Sequence, residues 1–210
     1  MTLWAIVPVK PLRRGKSRLS GVLSLEARTA LNHYLLSNTL ETLASVPEIE
    51  YSLVVSRDPA ALTIAREYRA RTVQEQGSPQ LNIALTRATM VALSHSVQGV
   101  IIVPADLPLI TAEDIREVVK RGVEPPVVVI TPDRHYQGTN ALLISPPGLI
   151  KYEYGPGSFQ RHCLQAEKVG ARLEICERRS VALDIDLPED LELAGYELME
   201  VNKSIKLTGL

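Results

Sequence analysis

The sequence contains little cysteine and no long hydrophobic run. Its 210 residues include two cysteines, Cys163 and Cys176, and neither has companions at the spacing of zinc ligands. We therefore expect free structural thiols in a reducing compartment. No apolar run approaches the length of a membrane span, and the opening MTLWAIVPV lacks the basic start of a signal peptide. These absences predict a soluble, cytoplasmic protein.

An excess of charge of one sign is also missing. Lysine and arginine total 23 against 24 aspartates and glutamates, which gives a formal net charge of −1. With 45% hydrophobic residues, the composition is typical of a single globular domain over residues 1–210 and does not indicate a nucleic-acid surface. A local cluster of positive charge in such a chain therefore indicates a small anionic ligand.

A complete phosphate-binding P-loop is absent, although VKPLRRGKSRLS contains its last three letters. Gly15, Lys16 and Ser17 match the motif, but Lys10 stands where its first glycine is required. Pro11 has no N–H group to offer a phosphate. The stretch still carries five cations after a hydrophobic strand, namely Lys10, Arg13, Arg14, Lys16 and Arg18. Because both residue types bind phosphate oxygens, we expect an anion site here, with a solvated basic turn as the alternative.

Strand-like and helix-like stretches alternate over the first 130 residues. The apolar runs predict strands over Leu3–Val9, Tyr51–Ser56, Thr72–Gln74 and Gly99–Val103. The 3.6-residue spacing predicts helices over Leu25–Ala44, Pro59–Ala70 and Leu81–His95, and in TAEDIREVVKRG after a Thr111 cap. This alternation predicts an α/β fold, a three-layer α/β/α arrangement with a mixed, mainly parallel sheet.

The remaining third of the chain is more mixed. PVVVITP, NALLISP, RLEIC and VALDID are predicted strands, and GSFQRHCLQAEKVG is a predicted helix. A closing helix is expected over Pro188–Met199, with Asp186 as its N-cap. Since ligands of such sheets bind at the carboxyl ends of the strands, the loops that follow the strands are the places to look for chemistry.

Acidic residues occur in two of these loops. Asp106 follows the Gly99–Val103 strand, while Asp184 and Asp186 lie on one face of an extended segment, because side chains alternate there. Mg²⁺ prefers carboxylates together with phosphate oxygens and water. A magnesium site is therefore one interpretation, and turn or helix-cap roles for the aspartates are the other.

Two further polar segments fit the binding of small molecules. Gly138-Thr139-Asn140 precedes a strand and Gly155-Pro156-Gly157-Ser158 opens a helix, so both can present N–H groups to a second anion. In QEQGSPQLNIAL, Gln80 and Asn82 carry paired donors and acceptors suited to a base edge. Ordinary turn and cap chemistry is the alternative for each segment. His135 and His162 receive no role.

The motifs VPVKPLRRGKSRLS, PADLPLI, GTNALLISPP, YGPGSFQRH and DIDLPEDL span nearly the whole chain in this order. This set resembles the 2-phospho-L-lactate or phosphoenolpyruvate guanylyltransferases of deazaflavin coenzyme (coenzyme F420) biosynthesis. That family belongs to the nucleotidyltransferases with the glycosyltransferase-A-like, nucleotide-diphospho-sugar transferase-like fold. The sequence departs from it at Tyr154, where phenylalanine is common, and at PQLN, where the family has a glycine-leucine-asparagine start.

The resemblance implies that the phosphate of a three-carbon acid attacks the α-phosphorus of GTP and releases pyrophosphate. It implies Mg²⁺ on Asp106 and Asp186, with Asp184 as the other candidate ligand. Thr139, Gly155 and Ser158 would hold the acid. Lys16 and Arg18, then Lys10 and Arg13, would contact the triphosphate, and Gln80 and Asn82 the guanosine. Lys16, Arg18 and Asp106 would be the catalytic residues.

Two alternatives share the fold. A sugar-phosphate or molybdopterin nucleotidyltransferase would have the same metal and triphosphate sites, but GTN and GPGS offer a compact anion pocket with little room for a sugar or pterin. A non-enzymatic nucleotide-binding regulator would lack a metal carboxylate, whereas Asp106, Asp184 and Asp186 are all present. We expect a homodimer by default for an enzyme of this size.

Overall fold

A computed structural model describes residues 2–77 and 80–195 of the chain. Within these residues, the strands are β1 (Leu3–Val9), β2 (Ile49–Ser56), β3 (Arg71–Gln74), β4 (Gly99–Ile102), β5 (Val127–Pro132), β6 (Thr139–Ser145) and β7 (Arg172–Ile175). The helices are α1 (Leu25–Ala44), α2 (Pro59–Glu67), α3 (Leu81–Leu93), α4 (Ala112–Arg121), α5 (Ser158–Lys168), α6 (Arg179–Ala182) and α7 (Pro188–Leu193). No helix among these residues is long and apolar enough to cross a membrane.

All of these strands form one sheet in the order β3-β2-β1-β4-β6-β5-β7. Only β6 runs antiparallel to its neighbours, so the mixed, mainly parallel sheet predicted from the sequence is confirmed. The chain builds outward from β1 to β3 and then returns to place β4 on the other side of β1. The carboxyl ends of β1 and β4 therefore flank the switch point where ligands of such folds bind.

Helices cover both faces of the sheet and complete the three layers. One face packs against α1, α2 and α4 through residues such as Leu36, Leu62 and Val118. The other packs against α3 and α5 through residues such as Leu85 and Ala166. Because β1 supplies side chains to both faces in alternation, it reads in the sequence as one continuous apolar run.

A smaller apolar cluster ties the loop after β1 to the end of the chain. Leu19 from that loop and Leu31 from α1 pack with Ile185 and Leu191, and all four side chains are buried. Burial of four such side chains stabilises this contact by several kcal/mol, at about 1.5–3 kcal/mol each. The cluster fixes the basic loop beside the segment that carries Asp184 and Asp186.

Most predicted elements agree with the structure, and β1 and α1 agree at both ends. The predicted strand in VALDID is wrong, because its first residues belong to the short helix α6 and the following residues join no sheet. Carbonyl groups of α6 accept hydrogen bonds from another loop and strand: Asn140 Nδ2 donates to Val181 at 2.7 Å and the Arg134 N–H donates to Ala182 at 3.0 Å. These hydrogen bonds take the place of those that a neighbouring strand would make.

The predicted N-cap of α7 is also wrong. The cap is Leu187, and the carboxylate of Asp190 accepts the N–H groups of Asp186 and Leu187 at 2.8 and 2.6 Å. Arg134 neutralises the buried Asp190 at 2.7 Å, so this aspartate can satisfy the helix start. The side chain of Asp186 is thereby left for another role. The helix ends at Leu193, earlier than predicted, and residues 196–199 lie outside the described residues.

Candidate active site

A cavity of about 690 Å³ lies along the carboxyl ends of the strands. One end is lined by residues after β2 and before α3, including Arg57, Glu75 and Gln80. The other end is lined by the start of β6 and the turn before α5, including Thr139 and Ser158. The loops after β1 and β4 lie between these ends. A cavity of this size is typical of a small-molecule binding site.

Side chains of other segments hold the backbone of the basic loop after β1. The N–H of Leu12 donates to Asp58 Oδ2 at 2.8 Å, and its carbonyl accepts from Asn32 Nδ2 at 2.7 Å. Gly15 packs so closely on Asn32 that a Cβ would lie 2.6 Å from the Asn32 amide nitrogen. A larger residue at position 15 would displace the Asn32 amide from its bond to the Leu12 carbonyl. This loop presents its side chains from a fixed frame.

Lys16 is the most buried cation of this loop. Its backbone is left-handed, with φ of 56°, and its side chain is only 7% exposed. Nζ lies 3.2 Å from Asp106 Oδ2 and 3.5 Å from Asp186 Oδ1. Burial alone would lower the pKa of Lys16, but attraction by Asp106, Asp186 and Asp184 outweighs it and raises the pKa. The ammonium group therefore stays charged.

The other predicted triphosphate ligands differ in their placement. Lys10 and Arg18 line the cavity, as Lys16 does, whereas Arg13 is exposed and is not among the lining residues. Arg18 is 70% exposed, with Nη1 3.5 Å from Asp186 Oδ2. Three cations of the loop thus face the space beside the aspartates, and Arg13 faces solvent.

The three aspartates meet because two segments pair through their backbones. The N–H of Ile185 donates to the Asp106 carbonyl at 3.1 Å, and the Ile185 side chain is buried in the smaller apolar cluster. Asp184 and Asp186 consequently project from the opposite side, as alternation predicted. Oxygen atoms of Asp106, Asp184 and Asp186 all lie within 4.8 Å of one another.

This donor set fits a divalent cation. Three carboxylates carry −3, and Lys16 and Arg18 beside them carry +1 each, which leaves −1 for a bound ion to balance. Carboxylate oxygens are hard ligands of the kind that Mg²⁺ prefers, and the adjoining cavity leaves room for phosphate oxygens and water. Burial, followed by the nearby charges of Asp106 and Asp186, raises the pKa of Asp184 to about 6, although Lys16 partly offsets them.

The opposite end of the cavity is polar and is lined by Thr139, Gly155 and Ser158. We call it the acid pocket, after the prediction from the sequence that these residues hold the acid. Thr139 begins β6, Ser158 begins α5, and Gly155 has a φ of 122° in the turn between them. Arg161 donates to carbonyl groups of this turn, including Glu153 at 2.7 Å and Pro156 at 2.5 Å. Because one guanidinium binds these acceptors, an anion in the pocket meets fewer exposed lone pairs.

The two residues predicted to read the base lie in different places. Gln80 lines the end of the cavity near β3, whereas Asn82 pairs with the backbone of Tyr154. Asn82 Oδ1 accepts the Tyr154 N–H at 2.8 Å, and its Nδ2 donates to the Tyr154 carbonyl at 3.3 Å. The amide of Asn82 therefore supports the turn of the acid pocket.

Sequence reasoning missed the residues that hold this pocket together, namely Asn82 in that role, Arg161 and His162. Their hydrogen-bond partners are carbonyl, N–H and hydroxyl groups of other segments. The spacing of residues in the sequence does not predict hydrogen bonds between segments that are distant along the chain. One signal was available for His162, because it lies with Ser158 and Ala166 on the face of α5 that packs inward, and a polar side chain there needs a partner.

This arrangement defines a class of protein. A mainly parallel sheet carries a carboxylate cluster at its switch point, with a cationic loop on one side and a second anion pocket on the other. Those are the parts of a nucleotidyltransferase, which transfers a nucleotide by positioning two anionic substrates and neutralising their charge.

The comparisons narrow this class. Residues 3–199 match the family described as guanylyl transferase CofC like, and the chain belongs to that family. It is 41% identical to a phosphoenolpyruvate guanylyltransferase of Rubrobacter xylanophilus, over 91% of this chain and 92% of that one. It is 33% identical to a 2-phospho-L-lactate guanylyltransferase of Methanocaldococcus infernus, over 89% and 81%.

A solved structure supports the fold separately. A putative nucleotide-diphospho-sugar transferase from Desulfovibrio desulfuricans superposes with a TM-score of 0.76, covering 98% of this chain and 97% of its own. Its sequence identity of 14% means that the likeness concerns the fold alone. The fold class expected from the sequence is thereby confirmed.

The first prediction concerns the pH dependence of cation binding. Because the pKa of Asp184 is raised to about 6, this carboxylate is ionised above that pH and protonated below it. A cation must displace the proton, so Mn²⁺ binding followed by calorimetry should weaken as the pH falls through 6. Asp184→Asn should bind Mn²⁺ more weakly and show less dependence in this range. An unchanged dependence would contradict this role of Asp184.

The second prediction concerns Tyr154. Its hydroxyl oxygen is buried and has no hydrogen-bond partner among the described residues. Tyr154→Phe should therefore raise the free energy of unfolding by about 1 kcal/mol, since a buried unpaired polar group is costly. Tyr152→Phe is the matched control and should lower it, because the Tyr152 hydroxyl bonds Thr89 at 2.6 Å. Urea unfolding measures both, and a loss of stability in Tyr154→Phe would refute the assignment.

Proposed function

We propose that the protein transfers the guanylyl group of GTP to the phosphate of a three-carbon acid and releases pyrophosphate. The observation that carries the proposal is a single cavity in which the aspartate cluster lies between the basic loop and the acid pocket. Membership of the guanylyl transferase CofC-like family and the names of the relatives support it.

The reaction needs an in-line displacement at the α-phosphorus. A phosphate oxygen of the acid forms the new P–O bond, the bond from the α-phosphorus to its bridging oxygen breaks, and pyrophosphate leaves with that electron pair. No covalent intermediate is required, so the protein contributes position and charge. In this scheme the acid pocket orients the nucleophile, and Lys10, Lys16 and Arg18 stabilise the charge on the departing pyrophosphate.

We propose Mg²⁺ as the cofactor. Asp106 and Asp186 would hold it and Asp184 would complete the cluster; when bound, the ion supplies positive charge to the reacting phosphates. Lys16 uses the same carboxylates as the ion. We therefore expect its Nζ to exchange the aspartates for phosphate oxygens in the nucleotide complex, which would explain why this lysine is buried beside them.

The guanine base would then occupy the end of the cavity near β3. In this scheme the acid pocket and the basic loop occupy the other end and the middle of the cavity. Gln80 lines the remaining end, which supports the guanosine contact that the sequence predicts. Glu75 also lines this end, and a carboxylate accepts well from the adjacent N–H groups that guanine carries and adenine lacks. We propose Glu75 and Gln80 as the guanine contacts. Asn82 then acts on the base only through the turn that it supports.

Phosphoenolpyruvate is the acid that we expect to be preferred. The relative with 41% identity and two others with 35% and 38% are named phosphoenolpyruvate guanylyltransferases. The phospholactate enzyme of Methanocaldococcus infernus is 33% identical. The two acids share a phosphate and a carboxylate and differ by few atoms, so the assay below includes both.

The third prediction is the reaction itself. Pyrophosphate should be released from GTP and Mg²⁺ only when one of these acids is present, and ATP, CTP and UTP should be poor substitutes. Asp106→Asn should abolish release while its circular dichroism spectrum remains that of the native protein. Its neutral amide is a far weaker ligand for Mg²⁺ than the carboxylate.

Two results would contradict the proposed metal site or the proposed substrate. Full activity of Asp106→Asn at ordinary Mg²⁺ would remove the metal assignment. Release with a sugar phosphate or molybdopterin, and none with the three-carbon acids, would favour the alternative transferases of this fold.

The fourth prediction separates the two substrates. Ser158→Ala should raise the KM for the acid about 10- to 100-fold and leave the KM for GTP within about twofold, because a lost hydrogen bond to an anion costs about 1.5–3 kcal/mol. Ser180→Ala is the matched control, since Ser180 bonds Asp114 away from the cavity. It should change neither KM. Equal effects of Ser158→Ala on both substrates would place the acid elsewhere.

Two expectations from the sequence complete the proposal. A cytoplasmic location fits a biosynthetic enzyme that uses GTP. A homodimer stays a prediction, and size-exclusion chromatography with light scattering would test it.

A further inference from the structure

His162 connects the two halves of the acid pocket. It lies on α5, and its side chain is fully buried. Nδ1 lies 3.0 Å from the hydroxyl oxygen of Thr139, and Nε2 accepts the backbone N–H of Glu153 at 3.0 Å. Thr139 begins β6, and Glu153 precedes the turn that contains Gly155. One imidazole ring therefore sets the distance between the strand and the turn.

The contact with Glu153 fixes the tautomer of the ring. A backbone N–H can only donate, so Nε2 must be the unprotonated nitrogen. Burial, and then the charge of Arg161, lowers the pKa of His162 to about 4, so the ring is neutral at physiological pH. A neutral ring with a free Nε2 carries its proton on Nδ1. That proton points to Thr139, so Nδ1 is the donor of this pair.

The tautomer in turn decides how Thr139 can bind a ligand. Its hydroxyl oxygen accepts from Nδ1, and its own proton has no acceptor among the described residues. Thr139 lines the cavity. The hydroxyl can therefore donate to an anion. In the opposite tautomer, Thr139 would donate to the ring and turn only lone pairs toward that anion.

We infer that His162 is a positioning residue for the acid substrate. The ring makes the Thr139 hydroxyl an obligatory donor to the acid, and it holds that hydroxyl in register with the Gly155 turn. The inference rests on the proposed function, because it takes the anion at Thr139 to be the acid. His162 does not touch the substrate in this account, and acts through Thr139 and the Glu153 backbone.

A purely structural role is the competing explanation. The ring also packs edge-on against Tyr154, with centroids 5.2 Å apart. Loss of that contact would lower the stability of the protein regardless of which ring nitrogen carries the proton. Variants that retain one of the two hydrogen-bonding functions separate these explanations. In His162→Asn the side-chain amide can replace the Nδ1 donor, and in His162→Gln the side-chain oxygen can replace the Nε2 acceptor.

The kinetic test compares these variants with phosphoenolpyruvate and GTP. His162→Gln should raise the KM for the acid about tenfold or more, with the KM for GTP within about twofold, whereas His162→Asn should recover much of the loss. Adding His162→Gln to Thr139→Val should give little further loss, because the hydroxyl it acts through is already missing. His33→Gln, at an exposed position on α1, is the matched control and should leave both KM values unchanged.

Equal losses in His162→Asn and His162→Gln, or losses that add to that of Thr139→Val, would overturn the inference and leave His162 as a packing residue. A nitrogen-15 correlation spectrum of the wild-type imidazole gives an answer that needs neither a variant nor turnover. A neutral ring protonated on Nδ1 is expected at neutral pH. A proton on Nε2, or a charged ring, would refute the inference.

The two measurements also separate this inference from the proposed function. A wild-type protein that is inactive with every acid but carries the Nδ1 proton would refute the function and leave the arrangement of Thr139 standing. An active wild type with indifferent His162 variants would refute the inference alone.

Discussion

The site depends on the interaction of Lys16 with the aspartate cluster. A buried ammonium group is costly unless anions surround it, and partly buried carboxylates that lie close together repel one another unless a cation joins them. Each therefore makes the other tolerable, although Asp106 and Asp186 lie 90 and 170 residues from Lys16 in the sequence. The rest of the fold serves to bring these groups to one point.

Several separate contacts produce that convergence. Gly15 packs on Asn32, which fixes the loop, and Leu19 anchors the same loop in the apolar cluster shared with Ile185. The backbone bond from Ile185 to Asp106 then sets the register of the carboxylates. Because these contacts do not involve the charged side chains of the site, the frame would remain when those side chains change partners. The proposed exchange of Lys16 from carboxylates to phosphate oxygens requires such a frame.

The sequence was sufficient to predict the features that depend on neighbouring residues alone. β1 is buried on both faces and α1 has a clear Ser24 cap, so their bounds were predicted at both ends. Alternation likewise placed Asp184 and Asp186 on one side of their segment. The contacts of α6 and the cap of α7 could not be predicted, because distant groups decide them: Asn140 binds Val181, and the carboxylate of Asp190 replaces Asp186. The role of His162 was hidden for the same reason.

A crystal structure with GTP and Mn²⁺ would test the account most directly, since anomalous scattering locates the ion and the map locates Lys16. The account predicts the ion on Asp106 and Asp186, with Lys16 Nζ bonded to a phosphate oxygen of the nucleotide. An ion bound elsewhere, or Nζ still between the aspartates with the triphosphate out of its reach, would contradict it.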